Sequence, residues 1–229
     1  MESIAYVGMD VDQDKIAAAV LVDYDGEPRM ERMVKNQPKA IEAFVAKLSS
    51  QYDTVMCCYE ASGCGFGLYR RVIENGAACM VVAPSSLPRK ANDRIKTDRR
   101  DARKLAMGLR NDELQPIYVP TRRDEAVRDY LRLYEDVKSD LKKAKQRLLH
   151  FLHRHEKRYT EGSTWTGKFW RWLNSLEFAV PMLTETFEEY KNHVSQLEEK
   201  RIRLKERGEQ IAAEESYAPA VRQLTSFKG

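Results

Sequence analysis

Short apolar runs alternate with amphipathic stretches over the first part of the chain. Ile4 to Val11 is nearly continuous in apolar character, the pattern of a strand buried on both faces. Ile16 to Val22 is a second such run. Asp25-Gly26 is a hairpin turn signal, and Arg29 to Val34 reads as the returning strand. Pro38 then opens a helix with Ile41, Phe44, Val45 and Leu48 on one face. Thr54 to Tyr59 is another buried strand, Gly63, Gly65 and Gly67 mark a loop, and Leu68 to Glu74 is a helix that stops at Asn75-Gly76. Ala78 to Ala83 is a fifth strand, ended by Pro84. A hairpin of strands followed by helix, strand, helix, strand predicts an α/β mixed sheet: an antiparallel meander, then parallel crossovers.

From Asp98 onward helices dominate. Asp98 to Leu109 is one, and Pro116 to Pro120 is an extended link. Val127, Tyr130, Tyr134, Val137, Leu141, Ala144, Leu148 and Phe151 recur at alternating spacings of three and four, a heptad seam. A second seam runs through Leu183, Phe187, Tyr190, Val194 and Leu197 to Leu204 and Ile211, with Pro181 in its first turn. Between them Trp165, Phe169, Trp172 and Leu176 share one face of a shorter helix. Two long helices joined by a short one predict an antiparallel hairpin or a dimer-forming arm.

Composition narrows the class. In 229 residues, 32% are charged and the net charge is only +4, so the distribution of charge says more than its sum. No stretch approaches the roughly 18 to 20 apolar residues of a membrane span, so no membrane partner is expected. The N-terminus has no basic n-region or small-residue cleavage site, and a cytoplasmic location is expected. Cys57, Cys58, Cys64 and Cys79 include no C-x-x-C pair and read as reduced thiols, mostly buried.

Four carboxylates fall where a two-metal site needs them. Asp10 ends the first strand and Glu60 follows the strand Thr54 to Tyr59, at the same edge if those strands are parallel neighbours. Asp98 and Asp101 share one face at the start of a helix. Converging carboxylates repel one another, and hard divalent cations such as Mg²⁺ or Mn²⁺ relieve that repulsion. Two such ions about 3.5 to 4 Å apart activate an attacking oxygen and stabilise the leaving oxygen of a phosphodiester. Each acid also has an ordinary structural role open to it, since Thr97-Asp98 reads equally as a helix cap with an acid in the first turn. Arg89, Lys90, Arg94, Lys96, Arg99, Arg100, Arg103 and Lys104 surround the last pair, a stretch suited to attracting a polyanion. A solvated helix face with local ion pairs is the bland alternative.

At these residues the sequence resembles the DEDD transposases of the one-ten insertion-sequence family, whose N-terminal domain is similar to the bacterial Holliday-junction resolvase. The matching stretches are Tyr6-Val7-Gly8-Met9-Asp10-Val11, Tyr59-Glu60-Ala61-Ser62-Gly63, Val81-Val82-Ala83-Pro84 and, most specific, Lys96-Thr97-Asp98-Arg99-Arg100-Asp101-Ala102. The resemblance implies a ribonuclease-H-like (RuvC-like) catalytic domain over residues 1–115 and a helical coiled-coil domain over 121–216. Residues 217–229 would then open a C-terminal transposase domain that is cut short. It further implies Asp10, Glu60, Asp98 and Asp101 as metal ligands, strand cleavage and exchange of element DNA, and guidance by an element-encoded structured RNA. Assembly into a homo-oligomer, dimer or tetramer, through the coiled coil is implied as well. Similar proteins carry a nucleophilic serine in the C-terminal domain. No serine here sits in a matching context, so the chain is expected to be unable to complete recombination alone.

Three rival readings remain. A junction-resolvase-like nuclease would use the same acids to activate water. A nucleic-acid scaffold would lean on the basic stretch Lys142 to Arg158, which serves as well for the polar face of a coiled coil. A sugar-kinase-type ATPase would need more than Gly63-x-Gly65-x-Gly67 to hold phosphates.

Overall fold

The computed structural model describes residues 2–23, 26–84 and 98–227. The chain divides into two compact units, Met1–Val119 and Pro120–Gly229. In the first, strands β1 (Ile4–Val11), β2 (Lys15–Val22) and β3 (Met30–Lys35) precede helix α1 (Pro38–Ser49). Then come β4 (Thr54–Glu60), α2 (Gly67–Glu74), β5 (Ala78–Val82) and α3 (Asp98–Arg110). The strands form one sheet in the order β3-β2-β1-β4-β5. β1 pairs antiparallel with β2 and parallel with β4. β2 pairs antiparallel with β3, and β4 parallel with β5. This is the ribonuclease-H-like arrangement, a meander on one side and crossovers on the other.

Two boundaries differ from the sequence pattern for a physical reason. β3 begins at Met30 and runs to Lys35, because its ladder to β2 closes on the pair Lys15 and Lys35. β4 includes Glu60, which keeps its register opposite Val82 on β5 rather than leaving the sheet. Asp25 of the expected hairpin turn lies outside the described residues.

Strand alternation assigns the two faces of the sheet. Ala5, Val7 and Met9 of β1, Ile16, Ala18, Val20 and Val22 of β2, and Val55, Cys57 and Tyr59 of β4 pack with Ile41, Phe44, Val45 and Leu48 of α1 and with Leu68 and Val72 of α2. The opposite face carries Ala17, Ala19 and Leu21 against Ala102 and Ala106, and Cys58 and Val82 against Leu105 and Leu109. Small residues on both sides let α3 lie close to the strands. The closest approach is at Gly8, where a Cβ would stand 2.1 Å from the Ala102 carbonyl oxygen and 2.3 Å from the Ala106 nitrogen. Both are backbone atoms that no rotamer change can move.

The second unit contains α4 (Arg122–Arg154), α5 (Gly167–Asn174), α6 (Pro181–Ala213) and α7 (Ala218–Ser226). The pairs Arg123–Glu214, Tyr130–Leu204, Lys145–Glu198 and Phe151–Phe187 show α4 and α6 running antiparallel. From both seams, Leu141, Ala144, Leu148 and Phe151 meet Phe187 and Val194 in one core, which Phe169 and Leu173 of α5 complete. Thr121 caps α4 by accepting from the Asp124 amide, and Thr166 caps α5 by accepting from the Phe169 amide. That second cap starts α5 after Trp165, and the helix ends before Leu176. The two residues therefore flank it, against the expectation that they lie on it, though both still pack on its core.

The glycines supply opposite tests of this packing. Gly8→Ala should destabilise the first unit by roughly 3 kcal/mol through backbone overpacking. Gly208, inside α6 with open space where its Cβ would be, should give about 1 kcal/mol of added stability on mutation to Ala. Urea denaturation of the two variants against the parent reads both signs.

Candidate functional site

The sheet brings acids together at its carboxyl edge. Because Met9 stands opposite Tyr59 in the parallel ladder, the next residues on each strand, Asp10 and Glu60, lie abreast. Both are half-buried. Alternation places them with Gly8 and Cys58, on the face that α3 covers. α3 begins at Asp98, and helical spacing sets Asp98 and Asp101 on the stripe that continues through Ala102, Leu105 and Leu109 onto the sheet.

Lys15, the first residue of β2, reaches the same edge. Its Nζ donates to Asp98 Oδ2 at 2.8 Å, and each side chain is about half exposed, 48% and 49%. The hydrogen bond to Asp98 and that carboxylate's charge hold the ammonium above its usual pKa, against the opposing effect of desolvation. Asp12 and Asp10 push in the same direction, so Lys15 sits in the field of three acids. Sequence reading passed over this lysine. The signal that could have found it is the hairpin itself, which returns the first residue of the second strand beside the end of the first.

Asp101 is the unsatisfied member of the group. Its Oδ2 is buried and has no hydrogen-bond partner among the described residues, while its Oδ1 lies 4.0 Å from Lys104 Nζ. A buried carboxylate oxygen left without a partner costs on the order of 1 to 3 kcal/mol. The donor set of carboxylate oxygens is the hard-oxygen type that Mg²⁺ and Mn²⁺ favour, and the orphaned oxygen fits such an ion. Among the described residues no three His, Cys, Asp or Glu side chains close to metal-holding distance of one another. The four acids share an edge without converging on a point.

The basic surround divides. Arg99 and Arg100 are exposed on α3. Arg103 pairs with Glu31 of β3 and reaches Glu27 at 3.7 Å, and its hydrogen bond holds the Glu31 carboxyl below its usual value. Arg89, Lys90, Arg94 and Lys96, with Thr97, lie outside the described residues. Beside the acidic edge Asp12, Gln13, Asn36, Ser62 and Cys64 line an open polar cleft of about 450 Å³.

The second unit offers less. Lys138, Lys142, Lys145, Trp165 and Arg201 line a groove of about 330 Å³. Lys145 and Arg201 both pair with Glu198, and Lys138 pairs with Glu135, which neutralises much of its charge. Trp165 and Trp172 pack against the aromatic core around Phe169.

The family model for DEDD transposases of the IS110 type, described as Transposase, matches residues 7–156. The chain belongs to this transposase family. It is 37% identical over 231 residues to the transposase for insertion sequence element IS1533 of Leptospira borgpetersenii, covering 100% of this chain and 67% of that protein. It is 38% identical over 178 residues to the Sinorhizobium fredii protein y4qE, covering 77% of this chain and 46% of that one. Among solved structures, Thermus thermophilus RuvC aligns with 50% of this chain and 99% of its own, at 14% identity and a TM-score of 0.37. Among the described residues no helix is long and apolar enough to cross a membrane.

The cysteines give the edge a built-in reporter. Cys57 and Cys58 are buried, and burial pushes both thiols far above their usual pKa; that of Cys79 is raised to about 12. Cys64 is exposed in the polar cleft, beside the Ser62 hydroxyl at 3.0 Å. At pH 8 a maleimide should label one thiol per native chain quickly, and Cys64→Ser should remove that fast phase. Labelling of two or more thiols at the same rate would show that the sheet thiols are not buried.

Proposed function

We propose that Asp10, Glu60, Asp98 and Asp101 form the metal-binding centre of this transposase and act on DNA strands at the carboxyl edge of the sheet. The observation that carries the reading is the buried Asp101 oxygen, without a hydrogen-bond partner among the described residues, at the start of the helix laid over the strands that carry Asp10 and Glu60. One or two Mg²⁺ or Mn²⁺ ions, when bound, supply the charge that activates a scissile phosphate. The chain's own contribution is position. β1 and β4 fix two carboxylates abreast, and α3 delivers two more from above. Exposed Arg99 and Arg100 draw the phosphate backbone toward that edge, a contribution that weakens with salt.

Element DNA is the substrate, and a structured guide RNA is the partner that selects it. The resemblance to the family supports both readings, and no feature of the edge bears on them. A second copy of the chain is the partner of the helical hairpin. The part of α4 nearest its N-terminus leaves Leu131 49% exposed, and α6 leaves Ile202 43% exposed. Leu131→Asp with Ile202→Asp should shift the mass measured by light scattering from oligomer to monomer without changing helix content. An unchanged mass would remove this surface from assembly.

Calorimetric titration of Mn²⁺ into the chain and its Asp98→Asn and Asp101→Asn variants tests the centre. Each variant should lose at least about tenfold in affinity while melting within a few degrees of the parent. Equal binding by all three proteins would remove the helix-borne acids from the site. A nicking assay on supercoiled and branched DNA, run alongside, distinguishes the roles. Metal-dependent nicking by this chain would mean that the acids activate water directly.

A further inference from the structure

The acids at this edge are accompanied by a cation, Lys15, that lies outside the stretches carrying the resemblance. We infer that Lys15 is the resident counter-charge of the metal centre: its ammonium holds Asp98 while no divalent ion is bound and releases that carboxylate when one arrives. The inference rests on the reading of Asp98 as a ligand.

The backbone around Lys15 is pinned, and its half-exposed side chain reaches Asp98 from there. The Asp12 amide donates to the Lys15 carbonyl at 2.9 Å, the Asn36 amide donates to the Asp14 carbonyl at 2.9 Å, and Asn36 Nδ2 donates to the Asp12 carbonyl at 2.8 Å. The turn between β1 and β2 is thus stapled to the end of β3. From this fixed base a flexible four-carbon stem carries the ammonium 2.8 Å from Asp98 Oδ2. Asp10, Asp12 and Asp98 all act on that charge. Removing that ammonium would take away one positive charge that acts on all three carboxylates.

The bond is also of the exchangeable kind. Both partners are about half exposed, and an ion pair of that exposure is among the weak ones. A divalent ion offers the same carboxylate twice the charge and a directed coordination bond. An ammonium that loses Asp98 to the ion remains beside the edge on its long stem, within reach of a phosphate oxygen. A lysine that merely ties β2 to α3 would stabilise the fold and leave cation affinity alone, and this difference makes the role testable.

The experiment is a Mn²⁺ titration by calorimetry of the parent, Lys15→Met, Lys35→Met and Asp98→Asn. Lys35 stands opposite Lys15 in the β2–β3 ladder and controls for the loss of one nearby positive charge. Lys15→Met should bind the ion roughly three- to tenfold more tightly, as the competing ion pair is gone, and Lys35→Met should stay within about twofold of the parent. If the parent is silent and Lys15→Met binds, the role is upheld in its strongest form. Equal or weaker affinity in Lys15→Met, with binding lost in Asp98→Asn, would overturn the counter-charge role and leave the metal centre standing. Equal tightening in Lys15→Met and Lys35→Met would reduce the effect to general charge and overturn it too. No binding by the parent or by Lys15→Met would overturn both readings together.

Discussion

The contact on which the first unit depends is the bare approach of α3 to β1 at Gly8. A helix normally rests on a sheet through its side chains, at a distance set by Leu or Phe. Here Gly8, Ala17 and Ala19 below and Ala102 and Ala106 above bring the helix backbone down onto the strands. Asp98 stands one turn before Ala102 and Asp101 immediately before it. The depth of that contact therefore sets how far Asp98 and Asp101 hang over the ends of β1 and β4. The buried state of the Asp101 oxygen follows from the same closeness. A packing decision made at a glycine becomes the electrostatic condition of the edge two residues along the strand.

Much of this was legible in the sequence because period and burial agree there. The runs ending in Asp10 and near Glu60 are apolar on both faces, and only strands central to a covered sheet read that way. The spacing of three residues already set both helix acids on one face of α3. The strand order was also accessible, since the hairpin and the crossovers leave few alternatives. What escaped were features that exist only across the fold. Glu60 belongs to β4 because Val82 of another strand keeps it there. Thr166 moved the start of α5 past Trp165, a choice between two local signals that the apolar pattern does not weigh. Lys15 looked like an ordinary polar residue at a strand start, and its meaning depends on a partner 83 positions away.

Charge pairing explains how a nearly balanced composition still makes a polarised edge. Several of the cations in this chain are committed to local acids: Arg103 to Glu31, Arg201 and Lys145 to Glu198, Lys138 to Glu135. Such pairs cancel at short range and contribute little beyond a Debye length of about 8 Å. In the groove of the second unit Lys138, Lys145 and Arg201 are paired in this way. Arg99 and Arg100 stand exposed on the first turn of α3.

The antiparallel pair α4 and α6 has a consequence of scale. Each helix has 33 residues, which at 1.5 Å per residue makes a rod of about 50 Å. Duplex DNA rises 3.4 Å per base pair, so the rod is as long as about 15 base pairs. A polypeptide strut of that length acts as a ruler. A helix laid along such a rod is matched to it in steps of the heptad repeat rather than adjusted by loops. Deleting or inserting whole heptads in matched positions of the two helices would then shorten or lengthen the rod while leaving the chemistry of the sheet edge untouched.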